Sequence, residues 1–448
     1  MPAETAAHVA RREALRRAVA ASTTGVPLGL RKRTSNLFRD RAPTRKRRID
    51  LSAFDKVLEV DPAAGWVDAE GLASYDDIVA ATLQRGVMPA VVPQLKSITI
   101  GGAAAGVGIE ATSFRHGLVH DTLVEFDVLL PDGDVVCCAP DNAHSDLFFG
   151  FPNSYGTLGY ALRLRQRTLP VKRCVEVRHE AFSSAGEFFA VLAQACDGPA
   201  DFVDGVVFAP DSLVLNVARF VDEVPSLSDY GYEIYYRSLQ RRPQDYLSTP
   251  GYLWRWDTDW FWCSRNFGAQ HPVVRRLFGR RHLNSRTYTR LMRWNARWGV
   301  TRRVAALRGR HPETVIQDVD IPLERAEEFL AFFLREIGIL PAWICPLRSR
   351  AATAAFPLYP VESGALYVNF GFWDTVVDTE PHEPGHFNRK IEHEVARLGG
   401  IKSLYSDSFF TRQEFASAYG IAQYEALKAK YDPGRRLLDL YEKTVLRA

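Results

Sequence analysis

Apolar and polar positions follow two different rhythms along this chain, and the change falls near residue 175. Residues 5–21, "TAAHVARREALRRAVAA", repeat at helical spacing and predict an N-terminal helix. "RRIDLSAFDKVLEVDPAAGWVDAEGLASYDDIVAATLQRG" reads as strand, turn at Asp61-Pro62, strand and helix. Ser74 stands where it can cap that helix, with acids in the first turn. "LVEFDVLL" and "VVCCA", joined by Pro131-Asp132-Gly133-Asp134, predict a hairpin. "DLFFGFPNSYGTLGYALRLRQRTLPV" predicts a short helix, a glycine loop and a long strand. Beyond 175, strand-like segments ("KRCVEVRHEAF", "DFVDGVVFAPDSLVLNVARFV", "TVIQDVDIP", "ALYVNFGFW") alternate with helices ("SAGEFFAVLAQAC", "ERAEEFLAFFLREIG", "HFNRKIEHEVARLGG"). That order predicts an α+β unit, with helices over one face of an antiparallel sheet. The tail from Thr411 is helical and stops near Asp432-Pro433-Gly434.

Within the first part lies "SITIGGAAAGVGIEATSFRHG", residues 97–117. Gly106-Val107-Gly108-Ile109-Glu110-Ala111 fits the GxGxxA of a dinucleotide turn, which requires a helix beginning inside it and a parallel strand beyond. Here "ATSFRHG" and a hairpin follow, and the context excludes that turn. What remains is backbone kept bare, able to approach a phosphate or a flat ring closely. Ser154-Tyr155-Gly156-Thr157-Leu158-Gly159 is a second such loop.

A chain of 448 residues is expected to form two or three units. A net charge of +3 excludes a polyelectrolyte binder, and no apolar run approaches the ~20 residues of a membrane span. No signal-peptide pattern opens the chain, so a cytoplasmic location is expected. Six cysteines without a CxxC read as reduced thiols, with neither zinc nor a disulfide framework. Charge is nonetheless uneven. Residues 1–48 hold thirteen Lys or Arg against three acids, and 260–312 hold thirteen arginines and no acid. Interleaved with Phe278, Tyr288, Trp294 and Trp298, the second stretch reads as a surface for anionic lipid headgroups. No nucleic-acid motif accompanies it, and no nucleic-acid partner is expected.

Two glycine loops joined by a hairpin resemble the FAD-binding (PCMH-type) domain of the vanillyl-alcohol oxidase and p-cresol methylhydroxylase superfamily. The matching residues are Thr99-Ile100-Gly101-Gly102, Leu130-Pro131-Asp132-Gly133, Asp146-Leu147-Phe148 and Gly156-Thr157-Leu158-Gly159. Within it, "TIGGAAAGVGIEATSFRHG", "HSDLFFGFPNSYGTLGY", "VIQDVDIP", "LPAWICP" and "LYSDSFFTRQEF" are similar to the side-chain (Δ24) sterol reductases. The resemblance implies a basic N-terminal arm over 1–48 and a two-subdomain FAD domain over 49–172. A substrate domain then spans 173–415, and a helical segment, 416–448, returns to the FAD domain. It implies noncovalent FAD, NADPH as electron donor, and reduction of a carbon–carbon double bond in a lipid. A methylene-branched fatty acyl chain or a sterol side chain is the expected substrate, with a lipid methyltransferase as an expected partner. An FAD-dependent alcohol or sugar oxidase is the alternative on this fold. The glycine-rich first phosphate loop of the superfamily is absent, and "GLRKRTSNLFR" stands in its place. Arg31, Arg33 and Ser35 are therefore expected at the phosphates, and Gly101, Gly102, Gly106, Gly108, Ile109, Glu110, His116, Ser154, Gly156, Thr157 and Gly159 elsewhere on the cofactor.

Reducing an alkene takes a hydride to one carbon and a proton to the other, so an acid is needed in a dry site. Period-two alternation along "VIQDVDIP" puts Ile316, Asp318 and Asp320 on one face. An aspartate among apolar neighbours is costly unless paired or protonated. Asp318, Tyr405 and Asp407 are the candidate catalytic residues, the last two from "LYSDS", a segment the resemblance places over the flavin. His382, His386 and His393 invite a metal reading, but Pro384-Gly385 breaks the helix that would align the first two, and no metal is expected.

Overall fold

Two antiparallel sheets carry the chain, one on each side of the break near residue 175. The computed structural model describes residues 3–21, 25–31, 38–39, 45–298, 310–349 and 356–448. Strands β1 (Leu28–Arg31), β2 (Arg47–Asp50), β3 (Val57–Asp61), β4 (Trp66–Glu70), β5 (Val87–Pro89), β6 (Leu123–Leu129), β7 (Val135–Cys138) and β8 (Tyr160–Pro170) build the first unit. The sheet runs β3-β4-β8-β6-β7, with β5 also on β8, while β1 and β2 pair in parallel apart from it. Alternation along β8 sends Leu162 and Leu164 inward and Arg163 and Arg165 to the other face. There Arg163 binds Asp68 at 2.9 Å and Asp127 at 3.1 Å. Ser74 caps the helix Tyr75–Leu83 by accepting from Asp77 N. The N-terminal helix Ala3–Ala20 docks here: His8 Nδ1 lies 2.8 Å from Glu70 Oε1, and Val19 packs with Ile49, Phe54 and Leu162.

The second sheet contains β9 (Cys174–Phe182), β10 (Phe202–Ala209), β11 (Ser212–Val221), β12 (Gln244–Ser248), β13 (His311–Pro322), β14 (Ala342–Leu347), β15 (Tyr367–Asp378) and β16 (Ile401–Lys402). Its order is β12-β9-β11-β10-β14-β15-β13-β16, with antiparallel neighbours throughout. Helices Ala185–Asp197, Ala326–Glu336 and His386–Arg397 cover one face through Phe188, Leu192, Leu330, Phe333 and Ile391. The architecture is thus α+β, as the alternation predicts. Strand β14 escapes the sequence pattern because all six of its residues are buried, leaving no alternation to read.

Helices Ile421–Tyr431 and Leu440–Thr444 return to the first unit, where Lys428 Nζ donates to Thr157 O at 2.8 Å and Tyr431 OH to Asp146 at 2.7 Å. No helix among the described residues is long and apolar enough to cross a membrane.

A buried ion cluster fastens the two sheets together. The Arg255 side chain is fully enclosed, and its Nη2 donates to Asp204 of β10 at 2.8 Å and to Glu110 of the first unit at 3.2 Å. Asp204 also accepts from Trp343 Nε1 at 3.2 Å and Asn216 Nδ2 at 2.9 Å. Removing one partner strands the remaining charges away from water, which costs about 3–5 kcal/mol. Arg255→Met is therefore expected to lower the unfolding free energy by about that much in urea denaturation. A loss of under ~1 kcal/mol, the worth of an exposed pair, would show that the cluster is dispensable.

Candidate functional site

A cavity of ≈ 850 Å³ separates the two sheets, within the ~300–1,000 Å³ range of small-molecule and cofactor pockets. Its first wall is the glycine stretch, which folds as a short helix, Ile100–Ala105, rather than as the loop expected. Thr99 caps it by accepting from Gly102 N, while Ile100 N donates to Ala73 O and Gly101 N to Gly71 O, both at 3.0 Å. Those three amides are therefore spent within the protein. The glycines serve instead by what they lack. A Cβ on Gly101 would sit 2.6 Å from Gly71 O, whereas one on Gly102, which lines the cavity, would meet only the Thr99 hydroxyl, at 2.9 Å.

Cations gather on a second wall, made by β1, β2 and the C-terminal residues. Arg45, Lys46, Arg48 and Lys443 line the cavity there, and Lys443 Nζ donates to Tyr155 O at 2.5 Å. Arg39, also in the lining, sits beside Phe38 and donates to Leu404 O at 3.1 Å. Of the residues expected at phosphates, Arg31 is exposed, pairs with Asp50 at 3.8 Å and does not line the cavity. It sits at the outer end of β1, and the charge comes from the "RKRR" that enters β2. Arg33 and Ser35 lie outside the described residues.

Aromatic side chains close the opposite end. Phe38 lies 5.9 Å from both Trp260 and Tyr405, and Phe261 lies 4.5 Å from Trp373, ring centre to ring centre. Trp260, Phe261 and Trp262 have φ of 51°, 50° and 55°. This left-handed backbone costs roughly 1–2 kcal/mol per residue and is a form of strain that gathers at functional sites. Here it turns Trp260 and Phe261 into the cavity wall.

Asp318 and Asp320 enter from β13, on the face away from the covering helices. Asp318 is no edge residue: β13 is bonded to β15 on one side and β16 on the other. Asp320 is satisfied, accepting from Asn369 Nδ2 at 2.6 Å and Tyr359 OH at 2.5 Å. Asp318 differs, because its Oδ1 is buried without a hydrogen-bond partner. Burial pushes its carboxyl up to about 7, opposed by hydrogen bonding from Tyr405 and reinforced by the charge of Asp320. Tyr405 OH accepts from Trp373 Nε1 at 2.9 Å. Opposite Asp318, a Cβ on Gly371 would come 2.8 Å from Oδ1 and 2.6 Å from the Trp373 ring, so only glycine leaves room for both.

Asp318, Tyr405, Gly101, Gly102, Gly106, Gly108, Ile109, Gly156 and Gly159 therefore meet at one cavity. Other expected residues do not. Asp407 turns away toward Arg447, 3.6 Å off, since its neighbours alternate along an extended segment. Glu110 is drawn to Arg255, and burial raises its carboxyl to about 7. His116 ends the short helix Ser113–His116 outside the cavity lining. Ser154 and Thr157 bond each other to shape the turn that presents Gly156. His382 pairs with Asp378 and His393 with Glu414, and no metal-binding group of three is found among the described residues. Sequence reasoning missed Gln94, Trp343, Asn369, Trp373 and Ser403. Their isolated positions carry no motif, and only the β13–β15–β14 register brings Asn369, Trp373 and Trp343 to the wall that holds Asp318 and Asp320.

Residues 4–139 match the model of an FAD binding domain. The chain is 26% identical over 417 residues to the Δ24-sterol reductase of Homo sapiens, covering 86% of this chain and 75% of the relative. The Pisum sativum Δ24-sterol reductase is 22% identical over 446 residues, covering 88% and 76%. Cytokinin dehydrogenase 7 of Oryza sativa subsp. japonica is 31% identical over 169 residues, 37% of this chain and 30% of the relative. Residues 4–139 are thus similar to an FAD binding domain, and most of the chain is similar to the Δ24-sterol reductases. The cavity fits that cofactor, with cations at one end for a pyrophosphate and a flat aromatic compartment at the other. Gly102→Val is expected to leave the circular-dichroism spectrum unchanged and to weaken FAD binding at least tenfold, measured by titrating apoprotein. Unaltered affinity would remove the glycine helix from the cofactor site.

Proposed function

We propose that this protein reduces a carbon–carbon double bond in a lipid, with noncovalently held FAD and NADPH as electron donor. The carrying observation is Asp318, a carboxyl at the edge of ionisation near pH 7, facing an aromatic compartment. Bound FAD supplies the hydride when reduced, and the protein supplies the proton. Asp318 holds that proton because burial disfavours its carboxylate. Tyr405, fixed by Trp373 Nε1, steadies the charge left on Asp318 once the proton is given. The aromatic walls exclude water and suit an alkyl chain better than a sugar. Cys263 also lines the cavity, but burial raises its thiol and it donates to Trp373 O, which favours noncovalent flavin. A methylene-branched acyl chain or a sterol side chain carries the required alkene. In the first case a lipid methyltransferase would supply the substrate.

Stopped-flow half-reactions test this reading. Anaerobic NADPH should bleach the flavin and a methylene lipid should restore its absorbance. Bleaching by alcohols or sugars, with rapid restoration by dioxygen, would establish an oxidase instead. Asp318→Asn should leave bleaching intact and slow restoration by about 10²–10⁴-fold, the usual worth of a general acid. The acid must be protonated to act, so the wild-type rate should be level below pH 7 and fall as Asp318 ionises above it. The variant should lack that step. A pH profile shared by both proteins would remove Asp318 from the chemistry.

The lipid would be met at a membrane face beside the cavity. Helices Pro272–Phe278 and Ser285–Trp298 pack on the cavity wall, where Tyr288 stacks on Trp260 at 6.2 Å. Outward they expose Val273 (57%), Leu277 (81%) and Trp294 (58%). The arginines of this stretch divide into two sets. Arg265, Arg280 and Arg286 pair with Asp374, Asp229 and Asp76, and Arg275 is buried against Tyr232 O. Arg276, Arg281 and Arg290 are exposed, and a basic side chain near an anionic bilayer contributes about 1 kcal/mol. The side chains of Arg297 and Trp298 and residues 299–309 lie outside the described residues. The protein should float with anionic vesicles at low salt and come off as salt rises. Changing Arg276, Arg281 and Arg290 to Glu should abolish flotation while FAD stays bound. Equal flotation of both proteins would rule this face out.

A further inference from the structure

Gln94 is 3% exposed and lines the cavity, yet neither Nε2 nor Oε1 has a hydrogen-bond partner. Buried side-chain amides are nearly always satisfied, and a stranded donor or acceptor costs stability. An amide held this way marks where a ligand supplies the missing bonds. We propose that Gln94 binds the carbonyl and N–H edge of the FAD ring system, an inference that rests on the cavity being the FAD site.

Location and chemistry select that edge. Leu95, next in the chain, packs on the same cluster of Trp260 and Tyr288 as Phe38, and Pro93 before it lies against Gly108, so Gln94 stands between the glycine turn and the aromatic residues. A phosphate only accepts hydrogen bonds and would leave Oε1 stranded. An alkyl chain would leave both atoms stranded. The pyrimidine portion of an isoalloxazine sets a carbonyl acceptor beside an N–H donor, the complement of one amide side chain.

Gln94→Leu keeps the volume and removes the hydrogen bonds. Because the amide has no protein partner, the apoprotein variant should melt at or above the wild-type temperature. FAD titration should show at least tenfold weaker binding, and the bound flavin should show shifted visible maxima and a lowered midpoint potential. Gln94→Glu, which loses the donor, should also bind FAD more weakly at neutral pH. A markedly lower apoprotein melting temperature would make Gln94 structural and overturn the proposal. Weaker binding with unchanged spectrum and potential would assign the amide to the ribityl hydroxyls, also overturning it. Unchanged FAD binding with a raised KM for the lipid would assign it to the substrate. Wild-type protein that takes up no FAD would overturn the FAD reading and this assignment together, whereas the other outcomes leave that reading intact.

Discussion

Everything at the cavity depends on one enclosed guanidinium. Arg255 reaches Glu110 beside the glycine helix and Asp204 in the second sheet, and Asp204 holds the indole of Trp343 on the cavity wall. A charge this deep is tolerable only with its carboxylates present, and they only with it. That mutual need adds a directional tie to the apolar cluster that spans both sheets. The sheet bearing the acid and the unit bearing the glycines are thereby held at one separation, and the gap between them becomes a cavity of defined shape.

Within that gap the chemistry is sorted by polarity. Cations come from β2 and the C-terminal helices, the acid from β13, and the rings from Phe38, Trp260, Phe261 and Trp373. Two aspartates two residues apart on β13 show how finely the environment works. Asp320 is tied by Tyr359 and Asn369, whereas Asp318 keeps an oxygen without a partner and faces the space where a reacting atom would sit.

The sequence made the periodic elements legible. The β6–β7 hairpin, the Ser74 cap, the long β8 strand and the three covering helices all follow from alternation, turn residues and capping. It also made Asp318 visible, because an acid within an apolar strand is anomalous on its face. What escaped was whatever depends on register. Asn369 reaches Asp320, and Gly371 comes between Asp318 and Trp343, only through strand pairing across about fifty and thirty residues of chain. Glu110 looked like a cofactor ligand because its partner, Arg255, stands 145 positions away. The "RKRR" cluster was conspicuous as charge, but nothing in its spacing indicated that it would line the cavity.

The wall supplied by Lys443 has a consequence for biosynthesis. The glycine helix is complete by residue 105, yet Asp318, Ser403, Tyr405 and Lys443 join the same cavity much later in the chain. At roughly 5–20 residues per second of translation, tens of seconds separate the first wall from the last. The first sheet must therefore wait on the ribosome with an unclosed face, and the flavin can be enclosed only when the final helices fold back. Availability of cofactor once Lys443 has emerged, rather than earlier in elongation, would then govern how much of the newly made protein is captured in its working form.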